Sequence, residues 1–150
     1  MKKYNNNSGF SLIEILAIAG VSILISLVSI PSFIGYQKNS KLKNESRQLA
    51  TDIRYAQQLA ITTQNIYQIK IFSEDERRYQ IKDETNETII KDIFMDNEVR
   101  ISQLDNITNR LIRFTATGGA IEAGNIYLVN TNNQTSTLQI KPSGYVQIID

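Results

Sequence analysis

A single carboxylate, Glu14, stands near the start of an apolar run, FSLIEILAIAGVSILISLVSIPSFIGY, that extends from Phe10 to Tyr36. As a helix rising about 1.5 Å per residue, this run is long enough to span a bilayer. Glu14 is the only acidic or basic side chain in it. A carboxylate at membrane depth costs about 3 kcal/mol, so it calls for a partner. Lys2 and Lys3 lie upstream across Tyr4-Asn5-Asn6-Asn7-Ser8, and the next cation is Lys38, at the far end of the run. The chain as translated leaves Glu14 unpaired.

A cut between Gly9 and Phe10 would supply the missing cation. The new α-amino group would lie four residues before Glu14, on the same helical face. At about 4 Å and an effective dielectric near 20, that pair attracts by about 4 kcal/mol, the same size as the insertion penalty. Gly9 presents no side chain to a peptidase site. Pro31, inside the run, removes a helix hydrogen bond and crowds the preceding turn, and membrane helices absorb such a residue as a bend.

The basic leader ending in Gly9, the sequence Phe10-Ser11-Leu12-Ile13-Glu14, the apolar stretch and Pro31 together resemble the class III signal of type IV prepilins and pseudopilins. The resemblance implies that prepilin peptidase cuts after Gly9 and that the new terminal residue, Phe10, is N-methylated. It also implies that Glu14 pairs with the methylated amine of a neighbouring subunit during filament assembly. The helix is then first an anchor and afterwards part of a filament core. An ordinary secretory signal is the competing reading, with Ala17-Ile18-Ala19 as its cleavage site. Only a few apolar residues precede that triplet, and the apolar run continues far beyond it.

The chain of 150 residues has no cysteine and no histidine, and its net charge is +1. No disulfide, thiolate metal site or imidazole metal site is available, and no cofactor is expected. Ser/His/Asp and Cys/His mechanisms are excluded. The adjacent carboxylates Glu74 with Glu76 and Asp83 with Glu84 fall in polar stretches that read as solvated loops. Gly118-Gly119 lacks the Lys-Ser/Thr ending of a phosphate loop and reads as a turn. The expectation is a protein without enzymatic activity.

Beyond the anchor, Leu42, Leu49, Ile53, Ala56 and Ala60 recur at helical spacing, with Lys43, Glu45, Arg47, Gln48, Asp52 and Arg54 read as largely on the other faces. This predicts an amphipathic continuation over 37–64. From Ile66 the period changes to two. Strands are predicted at Tyr67–Ile71, Tyr79–Lys82, Thr88–Phe94, Glu98–Ile101, Leu111–Thr115, Asn125–Asn130, Ser136–Ile140 and Tyr145–Ile149. The fold class is therefore α+β, a long N-terminal helix on an antiparallel sheet or small sandwich. The predicted divisions are a leader at 1–9, the anchor at 10–36, the amphipathic helix at 37–64 and a β-rich head at 65–150.

Two further segments resemble the FimT and GspH group of minor pilins and pseudopilins. These are Leu49-Ala50-Thr51-Asp52-Ile53-Arg54-Tyr55-Ala56-Gln57-Gln58-Leu59-Ala60-Ile61 and the closing Ile140-Lys141-Pro142-Ser143-Gly144-Tyr145-Val146-Gln147-Ile148. The resemblance implies a subunit of a motility pilus, a competence pilus or a type II secretion pseudopilus. Its partners would be prepilin peptidase, other pilin subunits, cytoplasmic membrane lipids and the assembly platform. The N-terminus would be cytoplasmic, with a single pass through the inner membrane before assembly into a pilus or pseudopilus. The alternative is a DNA-binding minor pilin serving transformation. Lys38, Lys41, Lys43 and Arg47 form the one basic patch, and its place beside the anchor favours anionic headgroups or carboxylates of other subunits over DNA.

Overall fold

One helix, α1, covers Leu12–Thr63. Its start is set by Ser11, whose Oγ and carbonyl oxygen accept the Glu14 N–H at 3.3 and 3.1 Å. Serine at this position satisfies a donor that has no partner inside the helix. The end is set by Gln64, which takes a left-handed φ of 59° and donates from Nε2 to the Ile61 carbonyl at 2.7 Å. The computed structural model describes residues 10–149, without the side chains of Val28, Pro31 and Ser32. The chain divides into two units between Tyr36 and Gln37.

In the first unit α1 continues without interruption past Pro31. Every large apolar side chain described there is exposed, from Phe10 and Leu12 to Phe33, Ile34 and Tyr36. Among the described residues no helix is long and apolar enough to cross a membrane. The expectation of an anchor over 10–36 rests on the sequence pattern.

In the second unit the chain builds two four-stranded antiparallel sheets after α1. Sheet A contains β1 (Tyr67–Ile71), β2 (Arg78–Asp83), β3 (Ile89–Phe94) and β5 (Leu111–Phe114), in the order β3-β2-β1-β5. Sheet B contains β4 (Val99–Asp105), β6 (Gly124–Asn130), β7 (Thr135–Ile140) and β8 (Val146–Ile149), in the order β4-β6-β7-β8. Each of the eight predicted runs forms a strand, and the fourth extends three residues past a bulge to Asp105. The predicted α+β class is what the fold has.

One apolar core joins the three layers. Leu42, Leu49, Ile53, Ala56 and Ala60 of α1 meet Ile69, Ile71, Tyr79, Ile81, Ile112 and Phe114 of sheet A, with Ile126, Leu128, Leu138, Ile140 and Val146 of sheet B. Burying each large side chain contributes about 1.5–3 kcal/mol relative to exposure, which is why a marginal isolated helix becomes fixed here.

Asp52 departs from expectation. It was placed off the apolar face, yet it is buried on it. Three residues after Leu49 and four before Ala56, it shares their side of the helix, and angle outranks polarity when a partner is available.

Candidate assembly surface

Sequence reasoning centres the site on the first turn of α1. There Glu14 is exposed, and no cation pairs with it among the described residues. Ser11 and Glu14 also occupy the first and fourth places of a Ser-x-x-Glu capping box, a local role for the pair that the charge argument overlooked. Phe10 precedes the helix and is exposed. Gly9 lies outside the described residues.

The predicted basic patch divides. Lys38 pairs with Glu98 at 3.5 Å and Lys41 with Asp96 at 3.1 Å, both carboxylates lying in or beside the β3–β4 turn. The Glu98 N–H and then Lys41 hold the Asp96 carboxyl below the usual range. The Thr131 hydroxyl, followed by Lys38, does the same for Glu98. Lys43 and Arg47 line a shallow depression with Ser46, Ser136 and Ile148. With two of the four cations committed inside the head, less charge is left to attract a nucleic acid.

The adjacent carboxylates singled out in the sequence do not form facing pairs. Glu74 binds Arg100 at 2.8 Å, and Glu76 accepts from the Ser73 hydroxyl. Asp83 accepts the N–H groups of Thr85 and Asn86, while Glu84 lies 3.8 Å from Arg113. Arg113 also binds the buried Glu122. These contacts organise turns and strand ends.

The structure brings together groups that the sequence did not single out. Asp52 Oδ1 meets Lys91 Nζ of β3 at 2.6 Å, while its Oδ2 accepts from Tyr79 Oη at 2.7 Å and from Gln48 Nε2 at 3.0 Å. Burial, followed by the hydrogen bond to Asp52, pushes the Tyr79 phenol far up. Nearby, burial pushes the Glu45 carboxyl up, even though it accepts the Asp96 N–H at 3.1 Å. Together these contacts tie α1 to sheet A.

A second tie joins α1 to the hairpin ends. Arg54 Nη2 donates to the Val146 carbonyl at 2.8 Å, and Gln57 Nε2 donates to those of Gly118 at 2.8 Å and Ser143 at 3.4 Å. The two turns share one geometry. Gly118 N–H donates to Thr115 and Gly144 N–H to Lys141, each at 2.8 Å, with the glycines at φ 85° and 79°. Only glycine takes such angles freely, and a Cβ on Gly144 would overlap both Gln57 Nε2 and Gly118 O. The two segments that carried the second resemblance are thus in direct contact.

The sequence model of the family described as type II transport protein GspH matches residues 45–144, well over half the chain. The chain belongs to the GspH family. The match begins within the amphipathic half of α1 and ends at Gly144, so it takes in the Asp52 network, sheet A, the sheet B strands β4, β6 and β7, and the Gln57 contacts, and stops short of β8. In fold, this GspH-family chain is similar to the crystal structure of the type IV minor pilin FimU from Pseudomonas aeruginosa (strain PAO1). The TM-score is 0.64 at 12% identity, over 77% of this chain and 92% of that one. It is also similar to the minor pseudopilin EpsH from the type 2 secretion system of Vibrio cholerae. There the TM-score is 0.60 at 9% identity, over 73% of this chain and 96% of that one. No curated protein matches it. The role that goes with the GspH family and this fold is that of a minor pilin or pseudopilin.

Proposed function

We propose that this chain is made as a prepilin, cut after Gly9, N-methylated on Phe10 and assembled as a minor subunit of a type IV pilus or of a secretion or competence pseudopilus. The observation that carries this reading is the GspH family match over the head, joined to an upstream run whose apolar side chains are exposed. Residues 10–36 would first anchor the chain in the cytoplasmic membrane, with the N-terminus inside. They would then pack among the corresponding helices of other subunits, bending at Pro31. Glu14 would set the register by pairing with the amine of a neighbouring subunit's first residue. Lys43 and Arg47, which form no ion pair among the described residues, are the members of the basic patch that would meet headgroups or subunit carboxylates.

The test is the intact mass and N-terminal sequence of the protein purified from its native membrane, with and without the host's prepilin peptidase. A mature start at Phe10 bearing one methyl group, lost without the peptidase, is expected. An intact Met1 start, or a start near Gly20, would remove the filament-subunit mechanism.

A further inference from the structure

Between Gln37 and Thr63 the charged side chains of α1 are sorted by direction. Both acids turn into the head, Glu45 accepting the Asp96 N–H and Asp52 buried against Tyr79 and Lys91. Of the bases, Lys38 and Lys41 are spent on Glu98 and Asp96. Lys43, Arg47 and Arg54 stay on exposed surface and form no ion pair among the described residues. Arg54 donates to the Val146 carbonyl, a neutral acceptor that leaves its charge uncompensated. The open face of the helix therefore carries charge of one sign.

Beside these cations runs a stripe without charge, formed by Asn44, Gln48, Thr51, Tyr55, Gln58 and Thr62, all exposed. Its alternating steps of four and three residues are the spacing of the seam in a left-handed helix pair. Arg47 precedes Gln48, and Arg54 precedes Tyr55, by one residue. Those are the flanking places from which charges select a partner helix. The two arginines stand seven residues apart, about 10 Å along the helix. Neither sheet closes over the stripe. A depression of about 400 Å³ lies on its sheet A side, against Ile90 and Lys91, and one of about 200 Å³ on its sheet B side, against Ser136 and Ile148.

We propose that this face binds a helix of a different pilin-type subunit, one that lays uncharged residues on the stripe and sets carboxylates seven residues apart against Arg47 and Arg54. A second copy does not supply them. Beyond Tyr36 the acids of its own α1 are Glu45 and Asp52, both turned into the head, so helix on helix the copies would set cation against cation. Complementary charge thus decides which helix docks. The stripe buries little apolar surface, and the strength of the contact comes from tethering, since helices gathered by residues 10–36 meet beyond Tyr36 at raised effective concentration. The partner class and the tether rest on the subunit reading above, whereas the one-signed face does not.

The chain has no cysteine, so Thr51→Cys gives a unique attachment point for a maleimide–benzophenone photocrosslinker, with Gln58→Cys as a second point on the same stripe. The full-length variants are expressed in the protein's own host, labelled in sheared filaments and irradiated, and the crosslinked peptide is identified by mass spectrometry. A product within the N-terminal helix of another filament subunit, in a stretch bearing acids seven residues apart, is expected. A product with a second copy, with lipid or with a strand segment overturns the proposal. So does the absence of product when the chain is present in the filaments, an outcome that leaves the subunit reading intact. Absence of the wild-type chain itself from the filaments overturns both. Arg47→Glu turns an attraction into a repulsion and should lower the yield about tenfold, while Arg47→Lys retains it. Because Arg47 forms no ion pair among the described residues, the unfolding midpoint should not fall in either variant. An undiminished yield in Arg47→Glu would refute the charge-selected helix.

Discussion

Removal of the Asp52 carboxylate should destabilise the head by an amount that the surroundings fix. Tyr79 is wholly buried, and its hydroxyl donates to Asp52. In Asp52→Ala that hydroxyl has no acceptor, a penalty of about 1–3 kcal/mol. Lys91 is 44% exposed and returns to water, so the lost ion pair adds only about 0–1 kcal/mol. The total is about 1–4 kcal/mol. Tyr79→Phe alone removes one hydrogen bond and leaves Asp52 with Lys91 and Gln48, at a cost of about 1 kcal/mol. In the double variant no orphaned hydroxyl remains, so the two effects should fall short of additivity by about 1–2 kcal/mol. Urea unfolding of the full-length protein in detergent, followed by circular dichroism, measures all three variants. Loss of less than about 0.5 kcal/mol in Asp52→Ala, or strict additivity, would refute a network in which the aspartate satisfies the tyrosine.

Gly144→Ala should lower the unfolding midpoint, because it combines a strained positive φ with overlap against Gln57 and the Gly118 carbonyl, a penalty of about 1–3 kcal/mol. The same substitution at Gly20, where nothing approaches a Cβ, provides the control. Acidification should also destabilise the head. Asp92, lowered chiefly by Arg78, Asp96, lowered by the Glu98 N–H, and Glu98, lowered by Thr131, each contribute stability that is present above the unfolded value near pH 4 and lost as pH falls through the folded value. Glu45 has the opposite sign, since its raised value favours the fold when it is protonated, and it offsets part of the loss. A thermal midpoint that stays level or rises on acidification below about pH 4 would contradict this balance. Finally, Glu14→Ala should leave processing at Gly9 intact while lowering recovery in sheared filaments, as read by immunoblot. Normal recovery would remove Glu14 from assembly.

The apolar stripe of α1 and the eight strands were legible because buried positions recur at 3.6 and 2 residues. Glu14 stood out for the complementary reason, as a charge where the pattern allows none. Asp52 was misread because its polarity was weighed above its angle on the helix, and no local signal announces that Tyr79 and Lys91 will converge on it. The exposure of β3 was hidden as well. Ile89-Ile90-Lys91-Asp92-Ile93-Phe94 reads as an apolar strand, and only the strand order sends it to an edge with those side chains outward. The ties from Arg54 and Gln57 span 92 and 61 residues and end on carbonyl oxygens, which every residue type carries.

That last property bears on how such a head can change over time. A bond from Arg54 to the main chain of position 146 is indifferent to which side chain stands there, and the same holds for Gln57 and position 143. Apart from the glycines that give the backbone room, the loops around this junction are free to drift in sequence while their attachment to the helix persists. A lineage could thus remodel the outer surface of the subunit, and with it what that surface meets, without redesigning the scaffold beneath.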